Sequence, residues 1–205
     1  MEYSISIIRH SKDMPPLVCH NFFHSPDLFH IIEKTPGQTP YMLVATDGQE
    51  HIVGHMLVVL RRRGALMPPY LFTQGRVYGE GEYEKGVDRE RIFRLMLNQL
   101  DQTLKRKLCL YIEFSNLSRK MFAYKDFRQV NYFPVQWMQI HNSLHSVSPE
   151  DRLSEKFLKR ITNATHLGVT VREVKDEANV KRFYQVLHAH TRFRLLSYLP
   201  NERQF

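Results

Sequence analysis

The chain has 205 residues, of which 42% are hydrophobic and 24% are charged, and its formal net charge is +8 at pH 7. The apolar share is large enough for a real core, no run approaches the roughly 20 apolar residues of a membrane helix, and Met1–Ile8 lacks the features of a signal peptide. The excess of positive charge favours anionic partners such as nucleic acid, phosphorylated cofactors or acidic lipid surfaces.

The first elements are a short strand, one or two short helices and a hairpin. Tyr3–Arg9 alternates as a strand does, and His20–Glu33 contains a helix-start signal in Ser25-Pro26-Asp27. Tyr41–Ala45 and His51–Leu60 are apolar and rich in β-formers, and the Asp-Gly dipeptide between them is a strong hairpin signal.

The middle of the chain alternates between helices and strands after an irregular segment. Arg61–Tyr83 is rich in glycine and proline and is predicted to be irregular, whereas Asp88–Lys105 is predicted to be a helix capped by its first residue. Leu108–Phe114 is predicted to be a buried strand, Ser118–Asn131 a short helix and Tyr132–Asn142 another strand. This order predicts a mixed α/β (α+β) domain over residues 1–150, with one central, largely antiparallel sheet flanked by helices.

Residues 151–205 are predicted to begin a second domain that repeats the element order of the first. Leu153–Leu167 is a basic amphipathic helix closed by Gly168, Val169–Val174 alternates as a strand, and a further helix covers Ala178–His190. A lone strand with an open ladder is not stable by itself. It therefore borrows a partner from the first domain or belongs to a longer natural chain, and we favour the longer chain.

Several short stretches carry a family resemblance, and they are Phe22–Pro26, the hairpin Pro40–Gly54, Leu110–Leu117, Tyr132–Pro134 and Leu158–Val171. With the element order, they resemble the GNAT acyltransferase fold and its FemAB-like branch, in which two such domains stand in tandem. The resemblance implies transfer of an acyl or aminoacyl group to an amine, with acyl-CoA or aminoacyl-tRNA as the donor. In FemAB-like enzymes the acceptor is the peptide stem of a cell-wall precursor.

Arg76-Val77-Tyr78-Gly79-Glu80-Gly81 fits the pattern R-x-x-G-x-G. The resemblance implies that Arg76, Gly79 and Gly81 belong to a loop whose amides hold the pyrophosphate of coenzyme A. That chemistry requires the loop to open directly into a helix, whereas a further segment intervenes here, and Glu80 and Glu82 would repel phosphate. A plain glycine-rich connector is the alternative.

Two further features are candidates for substrate contacts. Arg61-Arg62-Arg63 at a strand end could bind a phosphate or a carboxylate, because guanidinium groups suit both; a solvated strand terminus is the alternative. Glu113, in a predicted central strand, could be a general base with a raised pKa, or a carboxylate paired with a nearby arginine.

The histidines and cysteines give no metal-binding pattern. His20, His24 and His30 have no acidic or cysteine partner at a recognised spacing, so surface or core histidines are expected. Cys19 and Cys109 fit no metal or redox spacing, and we expect buried thiols in a reducing, cytoplasmic compartment and no bound metal.

The predicted basic helix has Lys156, Lys159 and Arg160 on one face. This stripe could contact tRNA, a nucleotide diphosphate or an anionic membrane surface, and a solvated helix face is the alternative. A non-catalytic module that binds RNA, anionic lipid or another protein is the alternative to the acyltransferase.

Overall fold

A computed structural model describes residues 2–62, 73–107, 109–119, 121–135, 148, 150–191, 199 and 202. The chain divides into two units, one made of residues 1–133 and 186–205 and the other of residues 134–185. The predicted domain boundary after residue 150 lies inside the second unit and stays a prediction.

One six-stranded sheet organises the first unit. The strands are β1 (Ser4–Ile8), β2 (Gln38–Thr46), β3 (Ile52–Arg62), β4 (Thr73–Tyr78), β5 (Glu82–Tyr83) and β6 (Cys109–Ser115). They lie in the order β1-β2-β3-β4-β6, and β5 pairs with β3 beside β4. All pairs are antiparallel except β4 with β6, which is parallel. The predicted mixed α/β fold with a largely antiparallel sheet is confirmed.

Two of the described helices, α1 and α2, begin where the sequence predicts caps. The described helices are α1 (Pro26–Lys34), α2 (Arg89–Lys105), α3 (Tyr124–Gln129), α4 (Glu155–His166) and α5 (Glu177–Thr191). The Ser25 hydroxyl accepts a hydrogen bond from the Leu28 amide at 3.1 Å, and the Asp88 carboxylate accepts one from the Arg91 amide at 3.1 Å. Each side chain therefore satisfies an amide that the first helical turn leaves without a partner.

The prediction of an irregular segment over Arg61–Tyr83 was wrong for most of its described residues, because the end of β3, β4 and β5 lie within it; residues 63–72 lie outside the described residues. Gly75 weakens the strand signal in the sequence of β4, because glycine is uncommon in strands. The structure has a glycine here because a Cβ on Gly75 would lie 3.2 Å from the side chains of Ile112 and Leu104. The missing side chain lets β4, β6 and α2 approach closely. Within the described sheet β6 pairs with β4 alone, so the central position of the strand that carries Glu113 stays a prediction.

The predicted strand over Val169–Val174 is not formed. These residues have neither helical nor strand structure, and Val171 is 99% exposed. A strand is not stable without a neighbouring strand to pair with, and no described segment pairs with these residues.

The predicted helix over Ser118–Asn131 shortens to α3, because Ala123 before it has a left-handed φ of 47°. Of the predicted strand Tyr132–Asn142, residues 132–135 form no strand and the rest lies outside the described residues.

Alternation along the strands gives the sheet two apolar faces. On one face, Tyr41, Leu43 and Ala45 of β2 join a core with the apolar side of α2. On the other face, Met42 and Val44 pack with Phe29, Ile32 and Leu57. None of the described helices has the length and apolar character that a membrane crossing requires.

Phe93 of α2 is the hub of an aromatic cluster beneath β6. Its ring lies 5.8 Å from that of Phe114, 5.1 Å from that of Phe122 and 5.2 Å from that of Phe127, all edge to face. Such pairs add to the stabilisation that burial of the rings provides.

We expect Phe93→Ala to lower the free energy of unfolding by about 3–5 kcal/mol, because a fully buried aromatic side chain leaves a cavity. Phe133→Ala is the matched control; Phe133 is 73% exposed, so its loss should change stability by about 0.5 kcal/mol or less. Urea unfolding monitored by circular dichroism measures both. Equal effects of the two substitutions would contradict the placement of α2 against the sheet.

Candidate functional site

The parallel strands β4 and β6 end at the same edge of the sheet. Their last pair is Tyr78 with Ser115. Beyond it, the Gly79 amide donates a hydrogen bond to the Ser115 carbonyl at 2.6 Å. The carboxyl ends of parallel strands are the usual place for ligands in such sheets, so the segment Gly79–Gly81 is positioned for a binding role.

The two glycines of this segment adopt backbone conformations that other residues rarely adopt. Gly79 has a φ of 93° and Gly81 a φ of 98°. A Cβ on Gly81 would also lie 2.8 Å from the His55 carbonyl oxygen. The glycines are thus required by the turn itself, whether or not the turn binds a ligand. A short strand, β5, follows them before α2, so the loop does not open directly into a helix.

The carboxylate of Glu80 turns into the protein, where its side chain is 5% exposed. It accepts hydrogen bonds from the Arg89 guanidinium at 2.9 Å and from the Ser118 amide at 2.9 Å. Because Arg89 compensates its charge, Glu80 repels an incoming phosphate less than the sequence suggests.

Arg76 and Glu113 pair directly across β4 and β6. Arg76 Nε donates to Glu113 Oε2 at 3.2 Å, and a terminal guanidinium nitrogen donates to Oε1 at 3.3 Å. This two-point contact is the geometry in which arginine holds a carboxylate most firmly. The structure therefore pairs Arg76, the candidate for cofactor binding, with Glu113, the candidate base. A carboxylate paired with a nearby arginine is the alternative interpretation of Glu113.

The other predicted anion-binding residues lie in two places. Arg61 is opposite Gln74, two residues along β4 from Arg76, so alternation puts Arg61, Arg76 and Glu113 on the same face of the sheet. Arg62 ends β3 and its amide donates to the Gly37 carbonyl at 2.9 Å; Arg63 lies outside the described residues. Lys156, Lys159 and Arg160 lie on α4 and are exposed there.

A cluster of titratable groups was missed by the sequence analysis. His55 Nε2 on β3 lies 3.3 Å from Cys19 Sγ and 3.3 Å from Glu82 Oε2 on β5. The other oxygen of Glu82, Oε1, accepts hydrogen bonds from the amides of His20 and Asn21 at 2.8 and 3.0 Å. No sequence spacing signals this cluster, because its members come from three separate segments.

His24 is a second buried imidazole near the cluster. Its Nδ1 accepts a hydrogen bond from the Leu57 amide at 3.1 Å, while Nε2 is buried and has no hydrogen-bond partner among the described atoms. The expectation of a core histidine is confirmed for His24, whereas His20 and His30 are exposed.

Burial sets the protonation of these groups. Burial, and then the nearness of His55, lowers the pKa of His24 to about 4. Burial also lowers the pKa of His55, against the opposing effect of Glu82. Burial, and then the charge of Glu82, raises the pKa of Cys19 to about 11. At neutral pH the cluster alone holds neutral imidazoles and a protonated thiol, which does not suit Cys19 as an activated nucleophile.

No protein-family model and no curated protein matches the chain. Solved structures with a similar fold include an aminoglycoside acetyltransferase from an uncultured soil metagenomic sample in complex with sisomicin, which is 11% identical over 69% of this chain and 96% of that chain, with a TM-score of 0.47. A ribosomal-protein-alanine N-acetyltransferase from Brucella melitensis biovar Abortus 2308 is 12% identical over 69% of this chain and 99% of that chain, with a TM-score of 0.41. A Trypanosoma brucei acetyltransferase is 11% identical over 70% of this chain and 100% of that chain, with a TM-score of 0.45. Likenesses this remote do not identify an activity.

The buried state of His24 predicts a dependence of stability on pH. Its pKa is about 4 in the folded protein and ordinarily 6.5, so the unfolded chain binds a proton first as the pH falls. The free energy of unfolding should therefore fall between pH 6.5 and 4, by about 3 kcal/mol from this residue. Urea unfolding of the wild type at a series of pH values measures the slope.

His24→Gln should flatten this slope, because glutamine does not titrate. His20→Gln, at an exposed neighbouring position, is the matched control and should keep it. The same slope in His24→Gln and wild type would show that His24 does not control the effect.

Proposed function

We propose that the protein is an N-acyltransferase that moves an acyl group from acyl-coenzyme A to an amine. One observation carries the proposal: Arg76 to Gly81, which fit the R-x-x-G-x-G pattern, lie at the end of the parallel pair β4–β6, and two glycines there have positive φ. This supports the position that the resemblance to GNAT proteins assigns to a coenzyme A loop. The intervening β5 is the departure from that pattern.

The reaction needs a group that accepts a proton from the attacking amine and donors that stabilise the oxyanion. Glu113 is the candidate for the first role, and backbone amides can supply the second. In the structure Glu113 is held by Arg76. A substrate group that binds Arg76 would separate the pair and free the Glu113 carboxylate. Because the pantetheine arm separates the phosphates of coenzyme A from its thioester, Arg76 as a phosphate ligand and Glu113 as the base are alternative roles for this pair in the proposal.

The FemAB-like resemblance extends the proposal to finer choices. It adds aminoacyl-tRNA as a second donor class and the amine of a cell-wall precursor as an acceptor. The two donor classes differ in the surface that they need. Coenzyme A would bind at the Gly79–Gly81 segment, whereas tRNA would need an extended basic surface.

We expect acetyl-coenzyme A to bind the full chain, and Arg76→Ala to weaken binding at least tenfold, because a phosphate loses its charged partner. Isothermal titration calorimetry measures both. Arg106→Ala, at an exposed position at the end of α2, is the control and should bind as the wild type does. Absence of binding to any acyl-coenzyme A, or equal binding by Arg76→Ala, would overturn the coenzyme A proposal.

The exposed surface of α4 supports a separate binding role, which would also serve a non-catalytic module. Lys156, Lys159 and Arg160 are exposed, and beside them Phe157 and Ile161 are 49% and 44% exposed. Basic and apolar side chains together on one helix are typical of helices that lie on anionic membranes. RNA could use the basic residues and stack on Phe157, but an exposed aliphatic side chain such as Ile161 favours the apolar boundary of a membrane. We therefore propose an anionic lipid surface as the partner of α4.

Lys159→Glu with Arg160→Glu should reduce co-sedimentation with phosphatidylserine-containing vesicles at least tenfold, since each basic residue contributes about 1 kcal/mol near such a surface. Lys125→Glu with Arg128→Glu is the control; it makes the same charge change at exposed positions of α3. Equal losses in both double variants would indicate a general charge effect. Binding of single-stranded RNA that the α4 variant loses, without binding to vesicles, would assign the helix to RNA instead.

A further inference from the structure

Cys19, His55 and Glu82 present three potential metal ligands to one small space. The sulfur of Cys19, a ring nitrogen of His55 and a carboxylate oxygen of Glu82 all lie within 4.8 Å of one another. His55 is buried and the other two residues are half-buried, so the cluster reaches the surface on one side. A thiol, an imidazole and a carboxylate form a set of donors that zinc commonly uses in proteins.

Without a cation, the polar atoms of this cluster are poorly satisfied. Glu82 Oε2 is buried and has no hydrogen-bond partner among the described atoms, although it lies 3.3 Å from His55 Nε2. That nitrogen is also the one that faces Cys19 Sγ at 3.3 Å. A neutral His55 Nε2 carries at most one proton, so it can donate either to Glu82 Oε2 or to Cys19 Sγ, but not to both. The thiol can instead donate to the His24 carbonyl, 3.9 Å away, and Oε2 then has at best the 3.3 Å contact with Nε2, which is poor satisfaction for a buried carboxylate oxygen.

Two of the three separations between the ligand atoms match those around a bound zinc ion. Tetrahedral zinc lies about 2.0–2.3 Å from nitrogen, oxygen and sulfur ligands, which places the ligand atoms about 3.3–3.6 Å from one another. The two separations from Nε2, each 3.3 Å, lie in that range. The third pair, sulfur and carboxylate oxygen, lies within 4.8 Å, so a cation between the three atoms would give each of them a partner.

We propose that Cys19, His55 and Glu82 form a binding site for one Zn²⁺ ion, with its fourth position open to water or another ligand. Sulfur and nitrogen donors select zinc and related transition metals over Mg²⁺ and Ca²⁺. The thiolate is the ligand, so binding displaces the proton of the Cys19 thiol. This site is independent of the acyl-transfer proposal, and for Cys19 the proposal departs from our expectation that the cysteines bind no metal.

The surroundings of Glu82 hold it in the orientation that the site needs. The amides of His20 and Asn21 fix Oε1 at 2.8 and 3.0 Å, so Oε2 faces His55. These contacts also tie the segment that carries Cys19 to β5. Such anchoring of a ligand by its neighbours is a usual feature of metal sites.

Cobalt titration of chelator-treated full chain tests the site, because thiolate coordination to Co²⁺ gives a near-ultraviolet charge-transfer band. We expect saturation at one Co²⁺ per chain, displacement by Zn²⁺, and a rise of the melting temperature on addition of Zn²⁺. Cys19→Ser should abolish the band, whereas Cys109→Ser, at the other half-buried free cysteine, should retain it. Absence of the band in the wild type, or its persistence in Cys19→Ser, would overturn the proposal.

Glu82→Gln gives a second variant that preserves the local packing. Its amide oxygen can still accept from His20 and Asn21, and its NH₂ group can donate to His55 Nε2, but it no longer offers a carboxylate ligand. We expect it to fold as the wild type does by circular dichroism and to bind Co²⁺ at least tenfold more weakly. Unchanged affinity in Glu82→Gln would exclude a site made by these three residues.

Discussion

The parallel pairing of β4 with β6 is the interaction on which the rest of the first unit depends. Parallel neighbours require a crossover connection, and α2 (Arg89–Lys105) provides it while burying its apolar side against the sheet. The pairing puts Arg76 opposite Glu113 and brings the segments after both strands to one edge. Gly75 permits it, because any side chain there would meet Ile112 and Leu104. The candidate site is therefore a consequence of how the core is built.

The turn after β4 serves the fold as much as it could serve a ligand. The Gly79 amide already donates to Ser115, Glu80 holds Arg89, and Gly81 passes close to the His55 carbonyl. These contacts return the chain to β3 through β5 and set Glu82 beside His55. A donor phosphate would thus meet a preorganised turn in which the guanidinium of Arg76 must first leave its carboxylate partner. The cost of breaking a partly exposed ion pair is modest, so this exchange is physically accessible.

Local signals in the sequence predicted most of the regular structure of the first unit. Ser25, Asp88 and the Asp-Gly turn between β2 and β3 act over a few residues, and all three elements form as predicted. What the sequence did not predict depends on distant partners. The segment β4 forms a strand because it pairs with β3 on one side and β6 on the other. Val169–Val174 forms no strand, because no described segment pairs with it. Likewise, the sequence positions of Cys19, His55 and Glu82 follow no known metal-ligand spacing, and the fold brings these residues together.

The buried imidazoles and carboxylate link this cluster to the turn at the sheet edge. Burying polar atoms without full hydrogen bonding destabilises a fold, and both His24 Nε2 and Glu82 Oε2 are buried in this way. A cation bound by His55 and Glu82 would offset part of that cost. It would also link β3 to β5, where His55 already pairs with Glu82, the residue after Gly81. In that arrangement the cation would lie beside the turn that we assign to the acyl donor, without itself taking part in the transfer.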